Sequence, residues 1–369
     1  MAKNTAPSRM EEAVHVVPNV SAAGALARCG ACDFVVIQDR FCPGPCDVDP
    51  ELHLQKRQEY RVAWAQGYSG PGAAGLTPFW TWMAGNLFGA CGFNAKLSEY
   101  PPEKPIVLWT APCWTDRLVY WWVLDALQRS PQEWKRFWVA EPPQPRGEAC
   151  YFYHTQSQLG CTPLKEHQET FTALHRLVAS EVEAGAALWR QFASTSALDF
   201  DRARRRRSRF FPDLRADAEV YGNLFPQAAS RASVKLRLSA ADQELLDRLR
   251  TNQWLCPSEI ERAGARPSIS CFSATGAYSR VQRLREWARH CPDDPAVIEG
   301  PGPDSSHEFN AVAYRLTQHG LRLRKHGLES AEEAPPMFVG GCLLYAGDPL
   351  WVRRQKGDGW VIEGITGRS

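Results

Sequence analysis

The chain has 369 residues, 44% of them hydrophobic and 14 of them Trp, enough apolar material for two or three domains with substantial cores. Forty-three Lys plus Arg against 41 Asp plus Glu leave a formal charge of +2, which excludes a polyanion binder at the scale of the whole protein and makes any electrostatic function local. No stretch approaches the roughly 20 uncharged apolar residues that a bilayer requires, so no membrane contact, a cytoplasmic location and reduced thiols at the 12 Cys are expected.

The segment VHVVPNVSAAGALARCG predicts a strand over residues 14–17, a polar turn, and a helix over 22–28 that Ser21 caps or opens to a ligand. His15, inside a β run, reads as a structural histidine. A second strand is expected over 34–38. Around it, Cys29, Cys32, Cys42 and Cys46 give C-x2-C-x9-C-x3-C, a spacing a structural zinc site accepts. Five strand residues at about 3.3 Å each would part the two pairs by roughly 16 Å. The strand therefore argues against the metal, and none is expected.

Helices over 51–66 and 115–128, strands over 106–109 and 137–140, and a Gly- and aromatic-rich stretch over 69–93 complete the first region, residues 1–141. Alternating strands and helices predict an α/β fold, a Rossmann-like, mostly parallel sheet with helices on both faces. The 115–128 helix is apolar nearly all round and is expected to lie between layers. Residues 150–235 read as a helical region: a long helix over 167–192 interrupted at Gly185, then six Arg and two Asp between Asp201 and Leu214. Arg204, Arg205, Arg206 and Arg207 form either a solvated surface or a polyanion patch. Residues 236–369 begin with LSAADQELLDRLR, in which Ser239 and Asp242 have capping-box spacing. A helix and three short strands near the end of the chain suggest a winged-helix-like α+β module. From Ser305 to Ser369 there are eight Lys plus Arg and seven Asp plus Glu, so nucleic acid, with Arg322 and Arg324 as contacts, is the lesser expectation beside a protein partner.

The region from Val14 to about Leu127 resembles the bacterial domain-of-unknown-function family 1835. His15 and the run Ser21-Ala22-Ala23-Gly24 match its opening, Asp39 with Gly44-Pro45 its second element, and Trp109, Thr115 and Asp116 part of its third. Pro18, Asn19 and Val20 stand where the family has Gly-Asp. The resemblance implies a fold and the edge of a site, with no activity to carry over. All three segments follow strands, and open parallel sheets bind ligands outside the carboxyl ends of their strands. Asn19, Ser21, Gly24, Asp39, Arg57, Arg61 and Asp116 are therefore the expected binding residues for a small polar or phosphorylated molecule, and Asp39 and Asp116 are the candidate catalytic carboxylates. Each has a structural alternative: a cap for Ser21, a salt bridge to Arg40 or Arg57 for Asp39, the helix dipole for Asp116, and surface ion pairs for Arg57 and Arg61. Cys113, before a helix, is a stabilised thiolate or a packing residue. With no glycine-rich dinucleotide fingerprint, Walker loop, His-Glu-x-x-His or nucleophile elbow in the sequence, no cofactor is expected. A ligand-binding protein, enzymatic or not, stands beside a non-enzymatic adaptor or nucleic-acid binder.

Overall fold

The computed structural model describes residues 6–366 apart from 40, 43, 68–86, 88, 132, 144–157, 204–205, 207, 213, 229–235, 263–270, 304–310 and 357–358. Arg204, Arg205, Arg207 and most of the 69–93 stretch lie outside the described residues. Of the described residues, the first strands are β1 (Val14–Val17), β2 (Asp33–Val36), β3 (Gly44–Pro45), β4 (Ile106–Trp109), β5 (Phe137–Ala140) and β6 (His175–Arg176). One sheet has the order β2-β1-β4-β5-β6. Its first four strands are parallel and β6 runs antiparallel at the edge. As the sequence predicts, β1 and β4 are interior, and they are neighbours in register Val14 to Ile106 and Val16 to Leu108.

Side chains alternate between the two faces of a strand, and both faces of this sheet are covered. Val14, Val16, Val35, Ile106, Leu108, Phe137 and Val139 join one core cluster, while Val17, Val107, Trp109 and Ala140 join another. This is why the strands read as continuous apolar runs. Helix α1 (Val20–Ala27) contributes Ala22 and Leu26 to the second cluster. After α2 (Pro50–Gly67), helix α3 (Trp114–Gln128) packs on the first, with every residue from Trp114 to Leu127 buried. The expected helix between layers is there.

The predicted 167–192 helix is divided into α4 (Leu164–Thr172), β6 and α5 (Ala179–Ala193). The break comes at β6, where the backbone pairs with β5 through Trp138 to Arg176 and Val139 to His175. Gly185 is no interruption. It lies inside α5 where a Cβ would meet Leu124 Cδ1 at 2.2 Å, so its missing side chain lets α5 approach α3. The second strand also stops early, at Val36, because Gln38 turns into the left-handed region with φ 58°.

The rest of the chain builds three further sheets. Strands β7 (Gln227–Ala228) and β8 (Leu236–Arg237) precede helices α6 (Ala240–Arg248), α7 (Pro257–Arg262) and α8 (Cys271–Arg289). A hairpin of β9 (Val297–Pro301) and β10 (Val312–Leu316) follows, then α9 (Gln318–His326). The last strands are β11 (Met337–Gly340), β12 (Cys342–Leu344), β13 (Leu350–Lys356) and β14 (Gly359–Ile365). These four do not form one local ribbon. β11 and β12 join β3 in one sheet, whereas β13 and β14 extend β7 and β8 in another. Sequence spacing cannot reveal that split, because each pairing partner lies more than a hundred residues upstream.

Candidate functional site

At the end of β1 the chain turns through Pro18 into α1. The helix begins two residues earlier than the sequence suggests, and Asn19 is its N-cap, its Oδ1 accepting the Ala22 N–H at 3.0 Å. Ser21 is thus inside the first turn, not the cap, and its Cβ packs near Gly160. Gly24 is exposed, with open space where a Cβ would stand.

Asp39 is corrected in role. It follows β2 on the face that carries α3, and it is 4% exposed. Arg57 donates Nε–H to Oδ2 at 2.8 Å and pairs with Oδ1 through its terminal nitrogen; Arg61 donates to Oδ1 at 3.1 Å, and the Phe41 amide donates to the same oxygen at 3.0 Å. Burial alone would push this carboxyl up, but the charges of Arg57 and Arg61 overcome it and hold it far below the usual carboxylate range. Arg57 and Arg61 are buried with it, so neither is an open anion receptor at the rim. Phe41, at φ 57°, folds over the cluster beside His53 and Trp189. The sequence offered Arg57 as one salt-bridge alternative for Asp39, but it placed Arg57 and Arg61 in surface ion pairs, whereas all three are buried together.

Asp116 is 1% exposed in the first turn of α3, on the face opposite α1. Cys113, the N-cap of α3, is buried, with Sγ 3.7 Å from Thr115 Oγ1. Thr110, at the carboxyl end of β4, is fully buried; its amide donates to Ala140 O at 3.0 Å, and among the described residues its Oγ1 has no hydrogen-bond partner. Sequence patterning gave no reason to select Thr110, since a threonine after an apolar strand is ordinary β chemistry.

His15 is the structural histidine expected. Trp109 Nε1–H donates to its Nδ1 at 2.9 Å, which fixes the proton on Nε2, facing Met10 O at 2.8 Å. Burial lowers its pKa, so the neutral ring persists. Strand β2 lies in the sequence between Cys29 and Cys32, which are partly or fully exposed, and Cys42 and Cys46, which are buried. Burial pushes the Cys42 thiol up to about 12 and Cys46 higher still. Among the described residues no group of three His, Cys, Asp or Glu is arranged to hold a metal, and no helix is long and apolar enough to cross a membrane.

The cationic candidates in the last third are engaged. Arg322 pairs with Glu329 at 3.3 Å and with Glu333, and Arg324 donates to Leu246 O at 3.3 Å and Leu249 O at 3.2 Å. Ser239 caps α6 as predicted, accepting from the Asp242 amide at 3.0 Å. What the capping spacing does not disclose is that Asp242 is a buried hub, taking hydrogen bonds from Arg283 Nε at 2.7 Å, Trp287 Nε1 at 3.0 Å and Tyr345 OH at 2.9 Å. No protein-family model matches the chain, and no curated protein matches it.

Proposed function

We propose that the protein binds a small polar molecule in the crevice between β1 and β4 at the carboxyl edge of a Rossmann-like sheet. One relationship carries this: β1 and β4 are adjacent and parallel, yet the helices that follow them, α1 and α3, pack on opposite faces. Where the crossovers part in this way, a doubly wound sheet opens a crevice, and ligands of such folds occupy it. Asn19 and Ser21 stand at the start of α1, and Thr110 and Asp116, both buried, stand at the end of β4 and in the first turn of α3. Because Arg57 and Arg61 are occupied by Asp39 and the crevice carries a carboxylate at Asp116, its chemistry suits a hydroxyl- or amine-bearing ligand better than a phosphate. Residues 14–127 belong, in this proposal, with family 1835; the adjacency of β1 and β4, which bear the first and third matched segments, supports it.

The test is a thermal-shift and NMR screen of sugars, polyols and amino acids against the full chain. Binding by a member of the panel, weakened by both Thr110→Val and Asp116→Asn, supports the crevice; binding indifferent to both variants refutes it.

A second proposal concerns residues 240–316, where the order is α6, a bridge at Leu255, α7, α8, then the β9-β10 hairpin. Leu255 pairs with Tyr314 on β10 in both directions, at 3.0 and 2.9 Å. That is the order of a winged helix, moved upstream of the terminal strands. Its third helix spends Arg283 on Asp242 and Arg285 on Glu299, which favours packing within the protein over DNA. A duplex-binding titration at two salt concentrations tests this, with no submicromolar binding expected.

A further inference from the structure

Away from the sheet crevice, a groove of about 700 Å³ lies between α6, the last turn of α9 and β8. Its size suits a small metabolite, and its lining is mostly polar, including Gln227, Arg237, Gln243, Glu244, Asp247 and Lys325. The carboxylates in that lining are already countered: Glu244 by Arg248, and Asp247 by the Gln243 amide at 3.0 Å with Arg324 Nε at 3.8 Å. Arg324 in turn is held by carbonyls of Leu246 and Leu249 at the end of α6. Arg237 and Lys325 differ from it. Both are exposed, both line the groove, and neither has an ion-pair partner among the described residues.

The backbone brings the segments that carry these two cations together at the groove. Gly327, at φ 81°, ends α9 against β8, so close that a Cβ would lie 2.3 Å from Leu236 O, and Leu328 N–H donates to that same carbonyl at 2.8 Å. Lys325 is two residues before this contact and Arg237 one residue after Leu236. We infer that the groove is a binding site for a small phosphorylated polar molecule, its phosphate between Arg237 and Lys325 and its body along Gln227 and Gln243. The charges match, because a phosphate monoester carries about −1.5 to −2 at pH 7, and an arginine fork with a lysine point charge is a common way to hold one. The site is independent of the crevice.

Inorganic phosphate is the probe, titrated into the full chain at constant ionic strength and followed by calorimetry and by ³¹P line broadening. Saturable one-site binding is expected. The double variant Arg237→Ala with Lys325→Ala weakens it by about tenfold or more without moving the melting temperature of the free protein, since both side chains are exposed. The charge-keeping pair Arg237→Lys with Lys325→Arg retains it, as does Lys165→Ala, which removes an exposed cation elsewhere. Absence of saturable binding, indifference to the double alanine variant, or equal loss in Lys165→Ala overturns the inference. So does tight, steeply salt-dependent binding of duplex DNA through the same two residues, which would make the groove part of a polyanion surface.

Discussion

Asp39 and Arg57, eighteen residues apart, meet out of contact with water, the guanidinium Nε 2.8 Å from the carboxylate and both side chains 5% exposed or less. A carboxylate at the end of an apolar strand invites a catalytic assignment. Here it closes the turn after β2 onto α2 instead.

Removing one partner of such a pair leaves a buried charge uncompensated, at a cost of about 3–5 kcal/mol. Asp39→Asn is therefore expected to lower the denaturation midpoint sharply, whereas a surface or ligand-contacting aspartate would leave it nearly unchanged. Replacing Asp39, Arg57 and Arg61 together by apolar residues is expected to recover part of the loss, because no buried charge is then left unpaired, and urea denaturation of the single and triple variants checks it.

The opening of α1 gives a second prediction. Asn19→Ala is expected to cost about 1 kcal/mol, because the Ala22 amide loses its acceptor. Ser21→Ala, at the second residue of the helix, is expected to change stability by a few tenths of a kcal/mol at most. The pair of denaturation curves distinguishes the observed cap, Asn19, from Ser21, the cap expected from the sequence.

His53 sets an acid limit. It is buried between Phe41 and Trp189, and burial, reinforced by the nearby Arg57 charge, lowers its pKa to about 4. The unfolded chain, with a histidine near 6.5, takes up the proton more readily than the folded one. Stability from this group is thus complete above about 6.5 and is lost as pH falls toward 4. His53→Phe is expected to flatten the stability profile across that window.

Tyr345→Phe is expected to cost about 1–3 kcal/mol. Its hydroxyl donates to Asp242 and accepts the Ser239 amide at 3.0 Å, so the variant leaves a buried N–H and a buried carboxylate each short of one partner. Calorimetric melting of the variant checks this, with Tyr60→Phe as a comparison outside the hub.

Local pattern was sufficient where the structure is local. The apolar runs at 14–17, 106–109 and 137–140 are strands, and the apolar 114–127 segment is buried on all sides, because both faces of the sheet are covered and the sequence has no polar alternation to offer. Ser239 could be read as a cap from its three-residue relation to Asp242. Beyond that range the signal fails for identifiable reasons. The two-residue strand at His175–Arg176 has too little sequence to show a period and exists because β5 offers it an edge. Gln38 entered the left-handed region against its own preference, which only the turn toward Asp39 explains. Thr110, Arg237 and Lys325 carry no motif at all; their interest lies in the company that distant segments bring them.

The pairing of Gly44-Pro45 with Val339-Gly340 bears on synthesis. Cys46 N–H also donates to Gly340 O at 2.8 Å, so a turn near the start of the chain is completed by residues translated almost 300 positions later. During translation the early sheet can assemble, but the loop holding Asp39 and the buried thiols Cys42 and Cys46 waits for β11. In the finished fold that pairing ties the loop carrying the buried Cys42 and Cys46 to a strand from the far end of the sequence.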